Sequence, residues 1–452
     1  MKSFTIATAL GAVIAPVLAA SKGNLTPIQV KGNAFYKGDE RFYVRGVAYQ
    51  PGGAADAQDP LLDTESLKRD IANFKDLGIN TVRIYTIDNS KNHDEGMKML
   101  DDAGIYLALD ANSPKYSLNR ESKDTLQRSY NDVYLQSVFA TIDAFADYNN
   151  LLALFSGNEV INDKNNSNAA PFIKAVTRDM KQYISNRATR QIPVGYSAAD
   201  VAEIIEQQAL YFDCGTDDER ADFFAFNDYS WCDFEDKLQT FEGAGWNKKM
   251  ETYKNFPKPI FLSEHGCIEP NRQWGEVSAI YSSKMSSVYS GGLAYEYTVE
   301  PNNYGIVDLK DGKITPNKDF KSLKAAYAKA SNPTGNGGAK TSGTASKCPP
   351  KDKYWDVTET LLPAIPTSAV KYMNSGAGTG PGLSGDGSHF AGKASEGTAT
   401  AGSGQATRTP NGSAAPSTSG GADSAAPVAV EIPLRFVGMV GASVLLGAAL
   451  MF

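Results

Sequence analysis

Histidine and cysteine are scarce in this 452-residue chain: three histidines, His93, His265 and His389, sit in separate segments, and none of the four cysteines belongs to a CxxC pair. That dispersal argues against a zinc site, which needs clustered His and Cys ligands, so no metal is expected. Positive charge is not in excess either: 44 Lys and Arg against 51 Asp and Glu leave a formal charge of -7. A generally basic nucleic-acid-binding surface is excluded, and a neutral partner is the better expectation. No GxGxxG or GxxxxGK(S/T) motif follows any strand-like run, which counts against a nucleotide-binding sheet; no cofactor is expected.

Long apolar runs are confined to the ends. Met1 to Ala20 carries Lys2, an apolar run from Phe4 to Leu18, then Ala19 and Ala20, the charge, core and cleavage pattern of a secretory signal. Phe436 to Phe452 is an uncharged apolar run of 17 residues after Arg435. Upstream lie the small residues Ser424, Ala425 and Ala426 and a spacer from Pro427 to Arg435. Small triplet, spacer and tail make a glycosylphosphatidylinositol (GPI) attachment signal, with Ser424 as the expected anchored residue. The alternative is a tail-anchored helix, which the secretory signal disfavours.

In an oxidising compartment four cysteines read as two disulfides, and Asn24, Asn165 and Asn411 stand in N-glycosylation sequons. From about Ser375 to Pro427 the chain is mostly Gly, Ala, Ser, Thr and Pro, with few large apolar residues to offset the entropy of ordering, so a flexible, O-glycosylated stalk is expected. Ser331 to Ser346 is a shorter stretch of the same kind and reads as a linker.

Between these segments, apolar runs alternate with amphipathic stretches. Strands are expected at Phe42–Ala48, Thr81–Tyr85, Tyr106–Asp110, Leu151–Ser156, Ile192–Tyr196, Phe223–Phe226, Ile260–Leu262 and Gly292–Tyr297. Helices are expected after Asp63 or Thr64 up to Gly78, near Glu95–Ala103, and over Tyr134–Tyr148, Phe172–Ser185 and Glu276–Ser287. Eight strands with helical crossovers predict an α/β fold, a (β/α)8 barrel, whose active site lies at the carboxyl ends of the strands.

The fourth strand ends in Ser156-Gly157-Asn158-Glu159 and the seventh in Ser263-Glu264-His265-Gly266. Two carboxylates on nearly opposite strands face each other across the mouth, as glycoside hydrolysis requires: one proton donor and one nucleophile or base. Asn158 is placed to donate to a sugar 2-hydroxyl. Tyr85, Asp110, Asn227, Tyr229 and Tyr295 also end strands, and a cleft of Tyr and short polar groups suits the C–H faces and hydroxyls of a sugar. Each glutamate alone reads equally as a capping or solvated loop residue, and each tyrosine as rim packing; the two glutamates together favour chemistry.

The segments TVRIYTIDNSKNHDEGM, SGNEVIND, KQYISNRATRQIPVGYS, FLSEHGC, SSVYSGGLAYEY and NNYGIVDL, spread over Pro27 to Tyr372, resemble in content and order the fungal GPI-anchored β-1,3-glucanosyltransferases of glycoside hydrolase family 72. The resemblance implies a retaining mechanism with Glu264 as nucleophile and Glu159 as acid and base. It also implies β-1,3-glucan as both donor and acceptor, and a place at the outer face of the plasma membrane or in the wall. It places Tyr85, Asn158 and Tyr295 on donor glucan, Tyr229 near the nucleophile, Asn119 and Arg120 in a cleft-lining loop, and Asp200 on the acceptor side. It pairs Cys214 with Cys348 and Cys232 with Cys267.

Three departures stand out. Ile205 replaces an expected arginine, and Leu67 and Gly96 replace a family cysteine pair. His265 follows the nucleophile where an aromatic is usual, either bonding Glu264 or filling that space, the second being favoured. No cysteine follows Cys348, so the family's cysteine-rich binding module is not expected. The expected organisation is a signal at 1–20, catalytic barrel at 21–330, linker at 331–347, tethered return at 348–372, stalk at 373–424 and removed propeptide at 425–452. Competing functions are a plain endo-β-1,3-glucanase and a silent glucan-binding wall protein.

Overall fold

The computed structural model describes residues 21–53, 58–234, 237–269, 271–357 and 361–400. The signal stretch, Asn411, Ser424 and the C-terminal apolar run lie outside the described residues.

Three antiparallel strands open the chain, β1 (Ile28–Lys31), β2 (Ala34–Lys37) and β3 (Glu40–Phe42). Eight more follow: β4 (Val44–Ala48), β5 (Thr81–Ile84), β6 (Tyr106–Asp110), β7 (Leu151–Asn158), β8 (Val194–Ala199), β9 (Phe223–Asp228), β10 (Ile260–His265) and β11 (Tyr289–Ala294). These eight pair in parallel and close, β11 bonding back to β4. The chain is therefore a (β/α)8 barrel, and every expected strand overlaps a barrel strand.

The crossovers are α1 (Thr64–Leu77), α2 (Asp94–Asp102), α3 (Lys123–Ser129), α4 (Asp132–Phe145), α5 (Ala170–Arg187), α6 (Ile205–Asp213), α7 (Trp246–Tyr253) and α8 (Val277–Ile280), with α9 (Lys318–Lys329) after β11. In α1 the Asp63 carboxylate accepts from Ser66 N at 3.1 Å, and Gly78 ends the helix in the left-handed conformation at φ 71°, where a side chain would be strained. The helix expected over Glu276–Ser287 is corrected to the single turn α8. Its serines compete with the helix: Ser282 Oγ donates to Ala279 O at 2.7 Å and accepts from Lys284 N at 3.2 Å.

The barrel interior is apolar at its amino-terminal end. Phe155, Phe223 and Phe261 pack together there, and Phe35 of β2 reaches in from below, 6.0 Å from Phe223 and 5.8 Å from Phe261 between ring centroids. The small sheet thus closes the bottom and leaves the carboxyl end open for a site.

After β11 come the hairpin β12 (Val307–Lys310) and β13 (Lys313–Pro316), then β14 (Leu361–Pro363), α10 (Val370–Ser375) and β15 (Thr398–Thr400), which pairs with β14. A disulfide joins Cys214 to Cys348, and Trp355 is fully buried with its ring 5.4 Å from Tyr211. Two compositional expectations need correction. The stretch 331–347 is pinned to the barrel, Asn33 and Lys340 exchanging bonds of 3.0 and 2.8 Å and Ser346 N donating to Asp213 at 2.8 Å. The stretch 373–400 is likewise held: Gln136 donates to Ala377 O and Thr379 O, and Gly382 N donates to Asn89. Polar barrel side chains bonded to backbone order these segments, a source that a count of their own apolar residues misses.

Candidate active site

Strand alternation decides what reaches the open end. In β9 the residues Phe223 and Ala225 fill the interior and the next two in phase, Asn227 and Tyr229, reach the mouth. In β7 Phe155 points inward, so strict alternation would turn Asn158 away. The register against β8 slips between Phe155 and Asn158, and that of β10 against β9 slips between Leu262 and Glu264. Such irregularities re-aim side chains, and here they bring Asn158 beside Glu159 and Glu264 beside Ser263 into one polar cluster.

Arg83 of β5 forms the floor of that cluster. Its guanidinium lies 4.3 Å from the Phe155 ring centroid, capping the aromatic layer. It donates to both oxygens of Asp110, at 2.9 and 3.0 Å, to Asn158 Oδ1 at 3.1 Å, and more distantly to Glu264 Oε1 at 3.5 Å. Because arginine can only donate, the atom of Asn158 that it touches is the carbonyl oxygen. The Asn158 NH2 therefore points elsewhere, and Ser197 Oγ adds a second donor to the same oxygen at 2.8 Å.

Glu264 is gripped on both oxygens, Tyr85 OH donating to Oε1 at 2.8 Å and Tyr229 OH to Oε2 at 2.7 Å. Burial pushes its pKa up to about 7, Arg83 opposes that shift, the Glu159 charge adds to it, and the two tyrosine bonds oppose it. Glu159 accepts from Asn227 Nδ2 at 2.8 Å on Oε1. Its backbone is left-handed, φ 48°, and is held from both sides: its N–H donates to Ser197 O at 2.8 Å and its carbonyl accepts from Arg120 Nη1 at 2.8 Å. The two carboxyls thus share one cavity mouth, each with its own donors.

Aromatic rings wall one side. Tyr295 lies 6.5 Å from Tyr85, 6.3 Å from Tyr229 and 5.5 Å from Tyr304, and Tyr304 lies 5.5 Å from Tyr229. Arg272 fixes this wall by donating to Tyr295 O at 2.9 Å and Tyr304 O at 2.7 Å. Beside it Glu296 is buried, its pKa raised to about 7 by burial although Asn302 donates to it at 2.8 Å.

The structure brings Tyr85, Asn158, Glu159, Tyr229, Glu264 and Tyr295 together, with Arg120 against the Glu159 backbone. Asn119 spends its Oδ1 on Glu121 N at 3.0 Å, shaping the loop. Asp200 lies to the side, its carboxylate 2.5 Å from Lys249 Nζ, which also donates to Asp228 at 2.6 Å. Ile205 is packed in the core, so the cation beside Asp200 is Lys249. Leu67 and Gly96 are buried too, and a Cβ on Gly96 would lie 2.3 Å from Leu61 O. His265 does not touch Glu264: Nδ1 is 3.0 Å from Glu276, and the ring stands edge-on to Trp274 at 5.8 Å. A disulfide joins Cys232 to Cys267, three residues from Glu264. Asn24 and Asn165 are exposed.

Sequence reasoning did not single out Arg83, Ser197, Ser263 or Tyr304. Arg83 carried a signal, a charge inside the apolar run TVRIY; Tyr304 lies on a loop, and its signal was its place in the segment NNYGIVDL. Among the described residues no group of three or more His, Cys, Asp or Glu is placed to hold a metal ion.

Comparison with known proteins extends this picture. The family model described as Glucanosyltransferase matches residues 17–331. The 1,3-beta-glucanosyltransferase gel1 of Aspergillus fumigatus is 55% identical over 390 residues, 85% of this chain and 85% of that protein. The 1,3-beta-glucanosyltransferase GAS5 of Saccharomyces cerevisiae is 49% identical over 385 residues, 84% and 78% of the two chains. Among solved structures, a crystal structure of ScGas2 with a bound compound has a TM-score of 0.68 and 39% identity, covering 76% of this chain and 77% of that one. A point mutant of Saccharomyces cerevisiae Gas2p in complex with laminaritetraose and laminaripentaose has a TM-score of 0.68 and 38% identity, covering 76% of each chain.

Proposed function

This chain belongs to the glucanosyltransferase family, glycoside hydrolase family 72, and from that premise we propose that it is a 1,3-beta-glucanosyltransferase that remodels wall glucan with retention of configuration. The observation that carries the reading is the division of donors between the two carboxyls. Glu264 receives a hydrogen bond on each oxygen, and Glu159 on Oε1.

That division supports the following roles. A retaining reaction needs one proton on the pair, on the residue that meets the leaving oxygen. Tyr85, Tyr229 and Arg83 favour the ionised form of Glu264. Burial is the larger influence against ionisation and these three donors oppose it; the Glu159 charge adds to burial, and that addition is absent when Glu159 carries the proton. In the first step a Glu264 oxygen bonds to the anomeric carbon of an internal β-1,3 linkage. The glycosidic C–O bond breaks, and Glu159 gives its proton to the departing 3-oxygen. In the second step Glu159 takes the proton from the 3-hydroxyl at the non-reducing end of another glucan. That oxygen bonds to the anomeric carbon, the ester to Glu264 breaks, and the chain is lengthened. The Asn158 NH2, freed by the anchoring of its oxygen, donates to the 2-hydroxyl at the reacting centre. Acceptor occupancy against water access sets transfer over hydrolysis.

The secretory pattern at 1–20, the sequons and the attachment pattern around Ser424 support export, N-glycosylation at Asn24, Asn165 and Asn411, and a GPI anchor at the outer face of the membrane. Incubation with a reduced laminari-oligosaccharide of one defined length tests the activity. Products longer than the donor are expected. Shorter products alone would make the chain an endo-β-1,3-glucanase, and glucan binding without any new product would make it a silent binder.

A further inference from the structure

Residues 376–397 lie beyond the stretch matched by the family model, yet they are bonded to the loop that walls the cleft. That loop follows β6. Its residues Ser113, Pro114, Ser117 and Leu118 line a small cavity shared with Tyr85 and Asn158. Lys115 Nζ reaches back to Leu383 O at 3.0 Å and Gly385 O at 3.1 Å. Ser388 N donates to Lys115 O at 2.8 Å, and Gly387 N to Tyr116 OH at 3.3 Å. His389 Nε2 lies 3.0 Å from Ser117 Oγ. The approach is close enough that a Cβ on Gly385 would sit 2.0 Å from the Tyr116 hydroxyl. Two further ties hold the far end: Lys393 N donates to Asp132 at 2.6 Å, and Asn131 Nδ2 to Ser388 O at 2.6 Å.

The same loop continues into Arg120, which donates to the Glu159 carbonyl. A non-glycine residue at φ 48° holds a conformation of low population that persists only when its surroundings impose it. We propose that residues 376–397 are a positioning strap for the reaction: they fix the loop at 113–120, and through Arg120 they hold the Glu159 backbone in the orientation that aims its carboxyl. The strap touches no reacting atom and acts only through the loop. This inference rests on the reading of Glu159 as acid and base.

Full-length protein carrying Lys115→Met or Gly385→Val tests it, with Lys115→Arg as the conservative control. Transfer kcat and KM on a laminari-oligosaccharide, amide hydrogen exchange and Tm are measured together. The expected result is faster exchange at 113–120 in both disrupting variants, with kcat lowered about tenfold or more, since misplacement by about 1 Å can cost 100-fold. Donor KM should change less than kcat, barrel-strand exchange should be unaltered, and Lys115→Arg should keep most of the rate. Faster loop exchange with kcat within about twofold of wild type would overturn the proposal, as would unchanged loop exchange in both variants or a rate loss matched by global unfolding. A wild-type protein that makes no longer products would overturn the functional reading itself, a result separate from these.

Discussion

Arg83 and Asp110 meet through two hydrogen bonds of 2.9 and 3.0 Å, both side chains buried at the floor of the barrel mouth. The pairing leaves the same guanidinium free to reach Asn158 at 3.1 Å and to face Glu264. One planar cation thus registers the floor, Asn158 and Glu264, the residues proposed as 2-hydroxyl donor and nucleophile. Lysine keeps the charge but cannot span these partners. Arg83→Lys is expected to lower kcat/KM by about 100-fold, and Asp110→Ala, which removes the doubly bonded carboxylate of a buried cation, to destabilise the fold by roughly 3–5 kcal/mol. Steady-state transfer kinetics and denaturant melts check the two effects.

Tyr229 stabilises the carboxylate of Glu264 by a 2.7 Å bond. With phenylalanine there, the protonated form gains relative weight and the Glu264 pKa rises. The acid limb of the kcat/KM profile, which requires ionised Glu264, should therefore move to higher pH in Tyr229→Phe, with a lower plateau. A profile with an unmoved acid limb would contradict the role given to that bond.

Glu264 also carries a stability signature. Its folded pKa, about 7, is raised from the ordinary carboxylate value of 4.5. Between those values the folded state keeps a proton that the unfolded state has released, so this group's contribution to stability falls as pH rises, by up to roughly 1.4 kcal/mol per pH unit. Glu264→Gln lacks that dependence. Its Tm relative to wild type should increase from pH 5 to pH 8 and level off above about pH 7. A difference that stays flat across that window would show that burial does not shift this carboxyl.

The Cys214–Cys348 bond closes a separation of 134 residues. Replacing both cysteines by serine should cost about 4–5 kcal/mol on the loop-entropy estimate, read as a lower Tm and faster proteolysis around 340–375.

The barrel and the two glutamates were legible because they rest on local pattern: short apolar runs at crossover spacing, and a carboxylate just past each of two runs. What stayed hidden depends on contacts distant in sequence. Arg83 stands out in sequence only as a charge inside an apolar run; its partners Asp110, Asn158 and Glu264 come from three other strands. The order in 376–397 was unreadable because it is supplied by Lys115, Asn131 and Gln136, more than 200 residues away in each case. The helix expected over Glu276–Ser287 failed for a local reason, serines bonding their own backbone, which apolar periodicity does not register.

Trapping the intermediate tests the proposed two-step displacement, with Glu264 as the covalent nucleophile and Glu159 as acid and base. A 2-deoxy-2-fluoro laminaribioside with an activated leaving group, incubated with wild type, Glu159→Gln and Glu264→Gln, is followed by intact-mass measurement and peptide mapping. The expected result is one added glycosyl unit on Glu264 in wild type, the same adduct persisting in Glu159→Gln, and none in Glu264→Gln. An adduct mapped to Glu159, or one that still forms in Glu264→Gln, would contradict it.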